Sequence, residues 1–301
     1  MPRVATLSAV MVAAVLITAG CSSSDDTAET GACPTDPIEV VVTVGQWSDL
    51  VEQLAGDCAE VTTIITGADA DPHDFEPSPR DSAAFTGADL VVLNGLGYDH
   101  WAEDALATLD SDPVVVDAGE IAGRTEGDNP HVWYDPATVQ EMAPAVTTAL
   151  KDLAGDASSY FDERAAAWST QLQPYLDEIA SVRGSAGGAT YAATETVFDD
   201  MASALDLVDS TPTGYRQAST NESEPSPAAI NDFQRGLRSG EVAVLVVNTQ
   251  TEGSVPAQLR SVAEDASVPI VEVTETQPSA AGSFVTWQVT QLQALAEALR
   301  G

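Results

Sequence analysis

Short β-branched runs alternate along the chain with segments whose apolar positions recur every three or four residues. Strands are predicted over residues 40–44, 61–65, 90–93 and 114–117, separated by helical patterns over 48–54, 79–85 and 100–109. Such βα alternation builds a parallel sheet. After Asp135 and Pro136 a helical pattern runs to Leu153. Residues 157–182 carry a longer one, with Phe161, Trp168, Leu172, Tyr175 and Ile179 at helical spacing and Pro174 predicting a kink. A second series follows, with strands over 189–193, 242–247 and 269–273 and helices over 195–205, 228–238, 256–266 and 286–299. The predicted fold class is α/β: two similar lobes with parallel β-sheets, at 38–156 and 184–301, joined by a long helix at 157–183.

A repeated tetrapeptide supports the twin lobes. Glu76-Pro77-Ser78-Pro79 precedes Phe85, and Glu224-Pro225-Ser226-Pro227 precedes Phe233, with Phe nine positions after Glu in both copies. Each Ser is placed to cap a helix, and each following Pro sits in the first turn, where its missing N–H costs nothing.

Charge narrows the function. Eleven Lys and Arg against 47 Asp and Glu give a formal charge of −36 in 301 residues. A chain without a basic stripe is not a nucleic-acid binder. Residues 1–20 read as a signal peptide: Arg3 supplies the positive start, an uncharged apolar run follows, and Ala19-Gly20 leads into Cys21 and a polar stretch. This resembles a bacterial lipoprotein signal, which implies cleavage before Cys21, lipidation of its thiol and a flexible leader over 21–37. Thr18 stands where the lipobox usually carries Leu, Val or Ile, and an ordinary secretory signal is the alternative. In an exported chain the two remaining cysteines, Cys33 and Cys58, are expected to pair, since each precedes one of two adjacent predicted strands. The chain has no CxxC, which argues against a zinc–cysteine site.

The candidate chemistry lies with the histidines. There are three, and His73 and His131 share a context, Asp-Pro-His-Asp-Phe-Glu-Pro and Asn-Pro-His-Val-Trp-Tyr-Asp-Pro, in which the preceding proline stiffens the loop. These segments, together with Asn94, Gly95, Gly97 and Trp101 and the start at Glu224 to Pro227, resemble the metal-binding proteins of zinc, manganese and iron ABC importers, the TroA-like cluster A-I family. The resemblance covers nearly the whole mature chain. It implies two α/β lobes on a rigid helix with one divalent ion between them. It also implies the ligands: His73, His131, Glu195 at the third position, three before Phe198, and Glu275 at the fourth, with Glu272 as competitor. His100 is expected to pack or face solvent, and Asp199 and Asp200 to lie on the exposed side of a helix.

Two imidazoles and two carboxylates balance a divalent charge and suit Mn²⁺ or Fe²⁺, with Zn²⁺ also possible. No His-rich loop of the kind common in zinc members lies between residues 74 and 130. The resemblance implies an anchored monomer on the outer face of the cytoplasmic membrane that captures the ion and docks on an ABC permease, with no catalysis. No GxxxxGK[ST] is present, as expected if the ATPase is a separate chain. The alternatives are a zinc-dependent hydrolase, weakened by the absence of HExxH, and an adhesin or binder of metal chelates.

Overall fold

The computed structural model describes Met1 and residues 32–67, 75–221, 223–251 and 253–300. Thr18, Cys21 and His73 lie outside the described residues.

Four parallel strands form the first sheet: β1 Ile38–Val44, β2 Ala59–Ile65, β3 Leu90–Leu93 and β4 Val114–Asp117, in the order β2-β1-β3-β4. Four more form the second: β5 Thr190–Ala193, β6 Val208–Asp209, β7 Val244–Asn248 and β8 Ile270–Val273, in the order β6-β5-β7-β8. Its strands are parallel as well. The two orders are one topology used twice. In each, the strand order reverses beside the first strand of its lobe, so the carboxyl ends of β1 and β3, and of β5 and β7, flank a crevice suited to a ligand. The central strands are buried on both faces, which accounts for runs such as Val40-Val41-Val42 without polar alternation.

The helices are α1 Ser48–Ala55, α2 Pro79–Thr86, α3 His100–Leu106, α4 Ala118–Ile121, α5 Pro136–Leu153, α6 Ser158–Ala186, α7 Asp199–Ala204, α8 Thr213–Thr220, α9 Pro227–Ser239, α10 Ser254–Asp265 and α11 Phe284–Arg300. Both copies of the tetrapeptide start a helix. The Ser78 hydroxyl accepts from the Asp81 N–H, and Asp81 returns a bond to the Ser78 N–H, closing a capping box on α2. Ser226 accepts from the Ala229 N–H and caps α9 without a return bond, because alanine stands where the first copy has aspartate. Phe85 and Phe233 are fully buried beneath their helices.

The connecting helix α6 runs unbroken through Pro174 for 29 residues. It buries Phe161, Trp168, Leu172, Tyr175 and Val182, a stripe repeating at seven, four, three and seven residues. One apolar cluster extends from β1 and α1 across α6 to Val246, Val271, Phe284 and Trp287 of the second lobe. A smaller cluster, including Phe233, Leu245 and Leu259, covers the other face of the second sheet. Cys33 and Cys58 form a disulfide that joins the chain ahead of β1 to the turn entering β2, at the end of the sheet opposite its crevice. No helix among the described residues is long and apolar enough to cross a membrane.

The structure corrects two expectations and adds an element. The helix predicted from residue 195 begins only at Asp199, because residues 194–198 turn and the Thr196 carbonyl is engaged by the first lobe. Asp199 and Asp200 are not exposed: Arg216 binds the first and Arg124 the second, and their side chains are 14% and 19% accessible. Helix α8 was unforeseen, because its sequence, Thr-Gly-Tyr-Arg-Gln-Ala-Ser-Thr, offers one large apolar residue and no stripe.

Candidate metal centre

The His131 loop is built from the crevice of the first lobe. Asn94, just after β3, accepts a hydrogen bond from the Trp47 indole at 3.2 Å and donates to the Pro130 carbonyl at 2.9 Å. Asn94 is itself held by Asp99, whose carboxylate accepts from the N–H groups of Asn94 and Gly95 at 2.7 and 2.8 Å and from the Thr43 hydroxyl at 2.5 Å. Burial pushes the Asp99 carboxyl up to about 6 despite these donors. Gly95 is required: its φ is +74°, and a Cβ there would lie 2.2 Å from an Asp117 oxygen. The Asn-Gly-x-Gly segment is thus a brace for the histidine loop.

His131 is 7% exposed, with its ring 5.3 Å from that of Trp133 and 6.2 Å from that of Tyr98. Its Nδ1 lies 2.6 Å from Asn129 Oδ1, which also accepts from the His131 backbone N–H at 3.1 Å. The Asn129 amide nitrogen donates to the Thr196 carbonyl at 2.9 Å, so its oxygen end must face the ring. Nδ1 therefore carries the hydrogen, and Nε2 is left to act as a ligand. Nε2 lies 2.8 Å from Glu275 Oε1, a residue of the other lobe. With Nδ1 already a donor, this approach needs one shared proton between two basic atoms. A divalent cation can take the proton's place with both atoms as ligands.

Glu195 follows β5 and accepts from Asn248 Nδ2, at the end of β7, at 2.6 Å. It therefore stands at the crevice of the second lobe. Burial pushes its carboxyl above the ordinary range; the hydrogen bond from Asn248 and the His131 charge pull it down, and Glu275 pushes it up. Glu195 thus shares the field of the His131–Glu275 pair. Glu275 follows β8, where the preceding Thr274 donates its N–H to Gln291 at 3.0 Å and offers its carbonyl to the Tyr134 hydroxyl at 2.7 Å.

Among the described residues no three His, Cys, Asp or Glu side chains converge closely enough to hold an ion by themselves. The described site is the His131–Glu275 pair with Glu195 nearby. Phe75, two positions after His73, packs against Trp101 with ring centroids 4.9 Å apart. Glu272 instead pairs with Arg260 at 2.7 Å, and His100 is exposed at the start of α3. Sequence reasoning missed Asn129, Asn248 and Tyr134. Asn129 stands directly before the Pro-His pair, and Asn248 ends a wholly apolar strand, so a polar residue at a strand's carboxyl end was the available signal.

Comparison with known proteins agrees with this architecture. The family model for zinc-uptake complex component A, periplasmic (ZnuA), matches residues 40–298. The manganese-binding lipoprotein MntA of Halalkalibacterium halodurans is 30% identical over 170 residues, covering 54% of this chain and 55% of that protein. The zinc-binding lipoprotein AdcA of Streptococcus pneumoniae serotype 4 is 23% identical, the match covering 86% of this chain and 55% of AdcA. The matches thus span about half the length of these two relatives. Among solved structures, the periplasmic zinc-binding protein TroA of Treponema pallidum superposes with a TM-score of 0.73 at 20% identity, covering 88% of this chain and 99% of that one. Since the family model runs across both lobes and the connecting helix, the chain belongs to the ZnuA family of periplasmic metal-uptake components.

Proposed function

We propose that this chain is the extracytoplasmic binding component of a metal ABC importer, lipidated at Cys21, taking up one divalent transition-metal ion through His73, His131, Glu195 and Glu275 and passing it to a membrane permease. The observation that carries the reading is the 2.8 Å approach of His131 Nε2 to Glu275 across the lobes, with Nδ1 held by Asn129. Two neutral imidazoles and two carboxylates cancel the charge of the ion, and carboxylates that bind through both oxygens raise the coordination number. This favours Mn²⁺ or Fe²⁺ as cargo and admits Zn²⁺, which binds such donors more tightly in the Irving–Williams order. The names of relatives support both the class and its breadth: manganese-binding MntA, iron-binding YfeA and the zinc uptake protein ZnuA are named for binding or uptake of a metal.

The chemistry is capture. The first lobe offers the histidines and the second the glutamates that follow β5 and β8, so the ion is fully held only when both lobes contribute. Elemental analysis of the purified chain, followed by competitive titration with Mn²⁺, Fe²⁺ and Zn²⁺, tests this. About one ion per chain is expected in the wild type, with affinity reduced more than about 100-fold in His73→Ala, His131→Ala and Glu275→Ala, since changes behind the ligands alone cost 10- to 100-fold. Unchanged stoichiometry and affinity in His131→Ala and Glu275→Ala would sink the reading.

A further inference from the structure

Arg124 is used by none of the steps above. It follows α4 in the first lobe, yet its guanidinium reaches the second: Nη1 and Nη2 donate to the two oxygens of Asp200 at 2.8 and 2.7 Å. Nη1 also donates to the Asn129 carbonyl at 3.0 Å, and Asp135, the N-cap of α5, lies 4.0 Å from Nη2. The Arg124 and Asp200 side chains are 22% and 19% exposed, so the pair is shielded from solvent more than a surface ion pair. A forked guanidinium is the group suited to hold a carboxylate and a carbonyl together, which an ammonium does not reproduce.

These contacts close a ring. From Asp200 the chain runs back through the first turn of α7 to Thr196, whose carbonyl accepts from the Asn129 side chain, and the Asn129 carbonyl returns to Arg124. One arm of the ring leads to His131, two residues beyond Asn129; the other leads to Glu195, next to Thr196. We propose that Arg124 is a positioning residue: with Asp200 it latches the two lobes at the rim of the metal centre and governs how fast the bound ion leaves. This rests on the reading of the centre given above. Tyr134 bonded to Thr274 marks a second crossing, beside Glu275. Loosening the rim therefore requires the Arg124–Asp200 fork and the Asn129–Thr196 bond to part together, and the first holds the second in place.

The test uses the full chain and the variants Arg124→Gln, Arg124→Lys, Asp200→Asn and the double variant Arg124→Gln with Asp200→Asn, with His131→Ala as reference. Release of Mn²⁺ and Zn²⁺ is followed after mixing with excess chelator. Lobe separation in the metal-free protein is read from spin labels at Ser82→Cys and Ser239→Cys. The latch predicts release at least about 10-fold faster in each single neutral variant, an intermediate rate in Arg124→Lys, and a double variant no faster than the worse single. The label distances should broaden in the same order. Thermal midpoints, recorded alongside, separate this from a merely structural role, which would lower the midpoint and leave the distances alone. Wild-type release rates, or single effects that add fully in the double variant, overturn the latch. If His131→Ala retains its ion, the metal-centre reading fails, and the distances alone then decide whether Arg124 joins the lobes.

Discussion

The two lobes share a strand order and a capped helix start, yet they offer opposite chemistries at the same topological point. In the first lobe the crevice holds up an imidazole, walled by Trp133 and Tyr98 and set by Asn129. In the second it holds carboxylates, steadied by Asn248 and by bonds to the neighbouring Thr274. The histidine side is braced by Asn129, whereas Glu195 and Glu275 repel one another. The duplicated fold therefore supplies two sockets, and the difference between them makes one socket a rigid wall and the other the source of attraction for a cation.

Acidification should expose the difference most strongly. Asp99 of the first lobe and Asp199 of the second are both pushed up to about 6, each by burial first. A carboxyl that holds its proton more tightly folded than unfolded makes the native state bind extra protons between about pH 6 and pH 4, so stability rises as pH falls across that window. For Asp99, held at about 6 by burial, the full gain once the pH is below the ordinary carboxylate range is about 3 kcal/mol. Urea midpoints at pH 7, 6 and 5 should climb, and Asp99→Asn should remove the first lobe's share. Metal affinity should move the other way, because the upward-shifted Glu195 takes up a proton before ordinary carboxylates do. A midpoint that falls between pH 7 and pH 5 contradicts the first expectation, and a pH-independent affinity contradicts the second.

Among the described residues, cross-linking belongs to the first lobe. Cys33 and Cys58 are 25 residues apart in sequence, and a loop of that size is worth about 3 kcal/mol in the unfolded-chain account. Cys33→Ser with Cys58→Ser should lose that much in denaturant unfolding while metal affinity barely changes, since the bond lies at the far end of the sheet from the crevice. A large loss of affinity without loss of stability would reverse this assignment.

Asn129→Ala sharpens the contrast at the proposed ligands. It frees the imidazole and breaks the bond to Thr196, so affinity should fall about 10- to 100-fold, measured by competition against a chromophoric chelator. Asn248→Ala should cost less, because Glu195 keeps its place at the end of β5. Equal losses would mean that the carboxylate side is as finely set as the histidine side.

The smallest effect separates the two capped helices. Ser226→Ala should cost about 1 kcal/mol, and Ser78→Ala somewhat less, because the backbone N–H of residue 78 keeps its bond to the Asp81 carboxylate and still holds the turn. Chemical denaturation of the two variants resolves the order.

Much of this was legible from residue pattern. The alternation of apolar runs with helical spacing located the first sheet and three of the four strands of the second, missing the two-residue β6, and Ser78 and Ser226 announced their helices through the prolines that follow. The proline-led loop drew attention to His131 and the family resemblance to Glu275, and the structure brings these two side chains within 2.8 Å. What the chain did not disclose are contacts that depend on the lobes meeting. Asp200 looks like any solvated helix carboxylate until Arg124 arrives from 76 residues away. Thr196 gives no sign that its carbonyl is claimed by Asn129, which is why the helix predicted from residue 195 starts late. Tertiary demand overrode local preference there.

The apolar cluster that runs through α6 bears on how far the two halves can part. Tyr175 of that helix touches Phe284, Phe284 touches Trp287, Trp287 touches Tyr134 and Tyr134 touches Phe198, an aromatic chain passing from one half of the molecule to the other. Swinging the halves wide apart would wet several of these rings, at roughly 1.5–3 kcal/mol for a large apolar side chain fully uncovered. If the centre carries an ion as proposed, unloading is confined to a small parting of the lips above a seam that stays dry, and a receiving protein would have only to pry at that edge.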